Sequence, residues 1–185
     1  MSRRAIDECP RFNPEAFHAV RKARMSRQSL GRQTNLSQQT VVRWETGVST
    51  PSARNLRAAA LVLQVRPADL LYPPSGEPSL ADLRMNHALT TAELAVRSAN
   101  NVGRLQFWEL TGRLGRADES PPMLSAFLGL ATDTIDRYLL TGQVPRTITR
   151  RLAHAVHVEP LEVQAAFDRT AALYEAVHHE LRSAA

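Results

Sequence analysis

The chain of 185 residues has room for one ordinary domain or two small ones, and its 23 Lys and Arg against 18 Asp and Glu give a net charge of +5. Only 5 % of it is aromatic, with 8 glycines and 11 prolines, while Ala, Leu, Arg and Val dominate, so composition favours an all-α fold. A lone Cys9 excludes an internal disulfide framework, the longest strongly apolar run (residues 58–63) excludes a membrane span, and residues 1–13 hold no signal-peptide pattern; the expectation is a soluble cytoplasmic protein without cofactor.

In chain order, residues 1–13 read as a flexible basic arm, with Cys9 an incidental thiol. Pro14-Glu15 starts a first helix, because proline fits the first helical position and an acid suits the dipole there. Phe17, Val20 and Ala23 carry it to about Arg24. Ser26 caps a second helix to about Thr34, and Asn35 tolerates the left-handed turn that follows. Ser37 caps a third helix over 38–46, with Val41 and Trp44 on its apolar face and Gly47 as its stop. A fourth begins at Pro51, with Leu56, Ala59, Ala60 and Leu63 inward, and 67–71 closes the unit. That makes five helices within 14–72, followed by a proline-rich linker at 73–78.

Charge divides at this linker. Residues 1–78 carry 12 cations against 6 anions, and residues 79–185 carry 11 against 12. A basic first half suggests a polyanionic partner for that half alone. The third helix supplies the means to read one. Gln38 and Gln39 sit at its start, away from Val41 and Trp44, and a glutamine amide pairs a donor and an acceptor as adenine N6 and N7 require. Thr40 offers a hydroxyl or a methyl, Arg43 lies one turn on, and Gln28 opens the second helix where its amide reaches a phosphate. Ser37 and Arg54 complete the expected DNA-contacting set.

Ser26-x-Gln28-x-Leu30, Asn35-Leu36-Ser37-Gln38-Gln39-Thr40-Val41, Trp44-Glu45-x-Gly47 and Pro51 resemble the Cro/CI-type (XRE) helix-turn-helix family. The resemblance covers roughly residues 12–72. It implies a five-helix phage-repressor-like domain with the third helix in the major groove, Gln28 on the phosphate side, and Gln38, Gln39 and Thr40 as base readers. Gly31 stands where the family carries alanine, and Asn35 where it carries the turn glycine.

The second half repeats this pattern. Ninety-four residues on, Leu30, Leu36, Val41, Trp44 and Pro51 meet Leu124, Leu130, Ile135, Tyr138 and Pro145, and Gly129 takes the place of Asn35. A degenerate helix-turn-helix domain is expected within 79–165, with residues 101–118 as its first helix and two short helices over 79–99. Its reading helix would present Thr132, Thr134, Arg137 and, beyond it, Arg146, but Asp133 and Asp136 stand among them and repel phosphate. The C-terminal helix of 166–185 continues a seam of Val163, Phe167, Thr170, Tyr174, Val177 and Leu181 at alternating spacings of four and three, suited to its own domain or to a second copy.

No nucleophile or acid-base set assembles, so an enzyme is not expected; His154 with His157, and Glu175 with His178 and His179, lack the further ligands a metal site needs. The expectation is a transcriptional regulator, a repressor acting on double-stranded DNA in host or phage-immunity control. It would act as a homodimer on a palindrome or as a monomer with tandem units on an asymmetric site. The rival is a protein-interaction adaptor or antitoxin-like partner that docks through the same domains.

Overall fold

The computed structural model describes residues 9–183. Eleven α-helices and one 3-10 turn make up these residues, and the strand-like pairing among them is a single isolated bridge between Phe12 and Leu71. The chain divides into two compact units: the first closes at Gly76 and takes in Arg84–Glu93, and the second comprises Glu77–Leu83 and the chain from Leu94 on.

In the first unit, α1 (Pro14–Arg24), α2 (Arg27–Thr34), α3 (Gln38–Glu45) and α4 (Ala53–Val62) are followed by the 3-10 turn Pro67–Leu70. Each helix starts where a short polar side chain satisfies an orphan amide: Asn13 accepts from Ala16, Ser26 from Ser29, Ser37 from Thr40 and Ser52 from Asn55. Such caps are worth about 1 kcal/mol each. The fourth helix therefore begins at Ala53, two residues after Pro51, because Ser52 is the better cap. Between α2 and α3, Asn35 takes φ +57° and Leu36 N–H donates to Gly31 O at 2.8 Å. A Cβ on Gly31 would meet Leu36 O at 2.6 Å, so this turn is drawn tighter than the family's alanine would allow. Phe17, Leu30, Val41, Leu56, Leu63 and Leu70 are fully enclosed, each contributing about 1.5–3 kcal/mol of apolar burial. Trp44 lies on this core with ring centroids 5.7 Å from Phe17 and 6.3 Å from Phe12.

The expected arm is corrected in part. Residues 1–8 lie outside the described residues, but residues 9–13 are packed against the domain. Cys9 is wholly buried, its amide donates to Pro51 O at 3.2 Å, and its thiol meets Met85 Sδ at 3.6 Å. Phe12 fills the space beside Trp44, an apolar gain that a solvated arm would forgo. The linker at 73–78 is not the sole division either. The helices α5 (Leu80–Asn86) and α6 (Thr91–Arg97) follow it, but Arg84–Glu93 clusters with the first unit. Met85 and Ala88 join the first core, Arg11 donates to Asn86 Oδ1 at 2.8 Å, and Arg57 pairs with Glu93 at 2.5 and 3.0 Å. The Arg57 guanidinium, outweighing the effect of burial and aided by Thr90, holds the Glu93 carboxyl down at about 2.

In the second unit, α7 (Val102–Thr111), α8 (Pro121–Leu128), α9 (Thr132–Thr141) and α10 (Arg146–Ala155) precede the long α11 (Pro160–Ser183). The helix expected over 101–118 begins after its Asn101 cap but stops at Thr111, because Gly112 turns left-handed at φ +64°. Leu114 and Ala117 thus lie in a loop, with Leu114 buried, and Gly112 and Gly115 are not helical. Downstream, α8 and α9 begin at 121 and 132, each ninety-four residues after α2 and α3, and Gly129 adopts φ +64° where Asn35 adopts +57°. The seam of α11 divides: Val163, Phe167 and Thr170 are buried, whereas Val177 and Leu181 are exposed. Trp108 and Phe167 pack at 5.8 Å in this core.

Candidate nucleic-acid interface

The polar row on α3 stands where the core leaves it no other place. Val41 and Trp44 are buried beneath the helix, so Gln38, Gln39 and Arg43 are thrown to the exposed side, with Thr40 half-buried at its edge. The Ser37 hydroxyl is committed locally: it caps Thr40 N–H at 3.0 Å and lies 2.8 Å from Thr40 Oγ1. The amides of Gln38 and Gln39 make no hydrogen bond among the described residues and present donor and acceptor outward.

Beside them a shallow basin is lined by His18, Arg21, Lys22, Ser26, Arg27, Gln28 and Gln38. Gln28, exposed in the first turn of α2, and Gln38, at the start of α3, thus edge the same concavity, and the dipoles of the two helix starts favour an anion between them. Arg43 and Arg54 are exposed but do not line it; Arg54 sits in the first turn of α4.

Three of the residues that line the basin, His18, Arg21 and Arg27, meet on one carboxylate. Glu45 ends α3 with a side chain only 2 % exposed, and its two oxygens are shared between helices: Oε1 accepts from Arg21 at 2.6 Å on α1, Oε2 from Arg27 at 2.5 Å on α2. His18 Nδ1 lies 3.4 Å away. Burial pushes the Glu45 carboxyl up, but hydrogen bonds from Arg27 and Arg21 outweigh it and leave the group below its usual value. One carboxylate therefore locks the three helices whose surfaces form the basin. The signal was present in the sequence, since Glu45 is the sole acid between Glu15 and Asp69, among nine Lys and Arg.

In the second unit, Thr134, Arg137 and Arg146 come together along one groove, and Thr132 does not. Thr132 is turned to Ser125 Oγ at 3.3 Å and Thr134 to Asp133 at 3.3 Å. Asp133 and Asp136 are exposed on the same helix, and Ala131 at the N-cap of α9 supplies no side-chain cap.

A helix-turn-helix family model matches residues 18–70, spanning the basin, α2, α3 and the closing 3-10 turn. Residues 18–70 are a helix-turn-helix domain. The family is one of DNA-binding regulators, and its match bears out the resemblance drawn from the α2–α3 motif and the all-α fold. Comparison with curated proteins and with solved structures finds no match for this chain. Among the described residues no helix is long and apolar enough to cross a membrane.

Proposed function

We propose that this helix-turn-helix protein is a sequence-specific regulator that reads the major groove of double-stranded DNA with α3 and represses by occupying its site. The observation that carries this is the pair of uncommitted amides, Gln38 and Gln39, on the first exposed turn of a helix whose opposite face is fixed in the core. A helix held so firmly presents its first turn to base edges without an ordering cost. Gln38 and Gln39 would choose the sequence; Gln28, Arg43 and Arg54, with the basin's Lys22, would hold phosphates and supply salt-dependent affinity. Ser37 acts chiefly through its cap, positioning Thr40 for a thymine methyl or a phosphate. One reading helix per chain places two copies on half-sites ~10 bp apart. The aspartates of α9 favour this arrangement over a tandem reading by both units.

The double substitution Gln38→Ala, Gln39→Ala is expected to weaken binding to the preferred site about tenfold to a hundredfold, as loss of bidentate base contacts does. Affinity for unrelated duplex, its salt dependence and the melting temperature should not move, since both side chains are exposed and bond to nothing in the domain. Fluorescence-anisotropy titrations on the two duplexes measure this. Undiminished preference for the site in the double variant would place base reading elsewhere.

A further inference from the structure

The groove of the second unit has a counterpart in the first that is already filled. In the first unit, residues 9–12 run across Trp44, Pro51 and the end of the 3-10 turn: Phe12 stacks edge-on to Trp44 at 6.3 Å, Cys9 N–H donates to Pro51 O, and Phe12 bridges to Leu71. Ninety-four residues on, Trp44 and Pro51 become Tyr138 and Pro145, and Pro67, which opens the 3-10 turn, becomes Pro160 with one residue fewer between. These residues line an open groove of about 760 Å³ in the second unit, with Leu161 81 % exposed at its edge. That volume suits one or two large side chains and their backbone.

The rim differs from the floor. Arg137, Arg146 and Arg150 line the groove, all three exposed, and none of their guanidinium groups takes part in a hydrogen bond or ion pair among the described residues. Glu159 is the one carboxylate among the described residues that line the groove. A duplex backbone would use the arginines and leave the apolar floor unfilled. A peptide uses both parts.

We propose that this groove docks an extended peptide segment of a partner protein, carrying one aromatic or bulky apolar side chain flanked by acidic residues. The apolar side chain would take the place over Tyr138 and Pro145 that Phe12 takes over Trp44 and Pro51. The flanking carboxylates would meet Arg137, Arg146 and Arg150 in charge-assisted hydrogen bonds. The protein would then bind DNA through one unit and a second protein through the other. This site does not rest on the DNA reading of the first unit.

The test is selection of random peptides displayed on phage against the immobilised full chain, followed by titration of a resynthesised winner. The expected result is enrichment of sequences with an aromatic residue between Asp or Glu. Binding of the resynthesised peptide should fall about tenfold or more in Arg137→Ala, Arg150→Ala and stay unchanged in Gln38→Ala, Gln39→Ala. An unchanged melting temperature of the arginine variant shows that it is folded. Absence of enrichment, or peptides indifferent to the arginines, overturns the proposal. So does a fall of about two in the salt slope of DNA binding in the arginine variant, which would make the groove a phosphate contact and leave the reading by α3 standing.

Discussion

Glu45→Gln is expected to lower the stability of the first unit by about 3 kcal/mol, the cost of leaving a buried charge without its partner. The glutamine keeps the shape of the side chain but not the charge that faces Arg21, whose side chain is 9 % exposed. Arg27, at 41 % exposed, turns to water more cheaply, so Arg27→Gln should cost well under half as much. The bond also carries a pH signature. The Glu45 carboxyl sits lower in the folded chain than its ordinary 4.5, so the folded state binds fewer protons there. Its stabilisation is complete above about pH 4.5 and is lost as pH falls below that value. The difference between the native chain and Glu45→Gln should be large at pH 7 and shrink toward pH 3. Hydrogen exchange on amides of α1, α2 and α3 reads this out for the first unit. A difference that holds constant down to pH 3 would contradict an ionised Glu45 at the hub.

Gly112→Ala is expected to cost the second unit about 3 kcal/mol or more. Two effects add. At φ +64° any side chain is strained by about 1–2 kcal/mol, and a Cβ here would also stand 2.3 Å from Ala171 N and 2.5 Å from Phe167 O. Both atoms belong to the backbone of α11, which cannot retreat without opening the Trp108–Phe167 contact. Gly129 is the control. It has the same φ of +64° but nothing within 4 Å of a Cβ, so Gly129→Ala should show the strain alone. Urea unfolding of both variants, followed by the amides of α7 and α11, separates the two effects. Equal losses at 112 and 129 would mean that α7 and α11 do not approach as closely as described.

Much of the first unit was legible because its signals are local. Ser26, Ser37 and Asn35 declare two helix starts and a left-handed turn through their own side chains, and the periodicity of Val41 and Trp44 leaves Gln38 and Gln39 outside. Glu45 was not recognised as a hub because its partners lie eighteen and twenty-four residues away. Ion pairs at such range leave no periodic trace, only the oddity of a single acid among cations. Residues 9–12 misled for a similar reason. Arginines beside Phe12 suggest a solvated arm, while the pocket that Phe12 fills is built by Trp44, far along the chain. In the second unit the α8–α9 turn was visible at its fixed spacing from α2–α3. The end of α7 was not, since Leu114 keeps helical phase with what precedes it while Gly112 breaks the backbone. The same limit applies to 84–93, whose Met85 and Glu93 are claimed by partners in the first unit.

The most direct measurement is selection of bound sequences from random duplex DNA by the full chain at physiological salt. Reading by α3 predicts one enriched motif with half-sites ~10 bp apart, and loss of its base preference in Gln38→Ala, Gln39→Ala. Recovery of no motif, or of the same motif from both proteins, would contradict reading by α3.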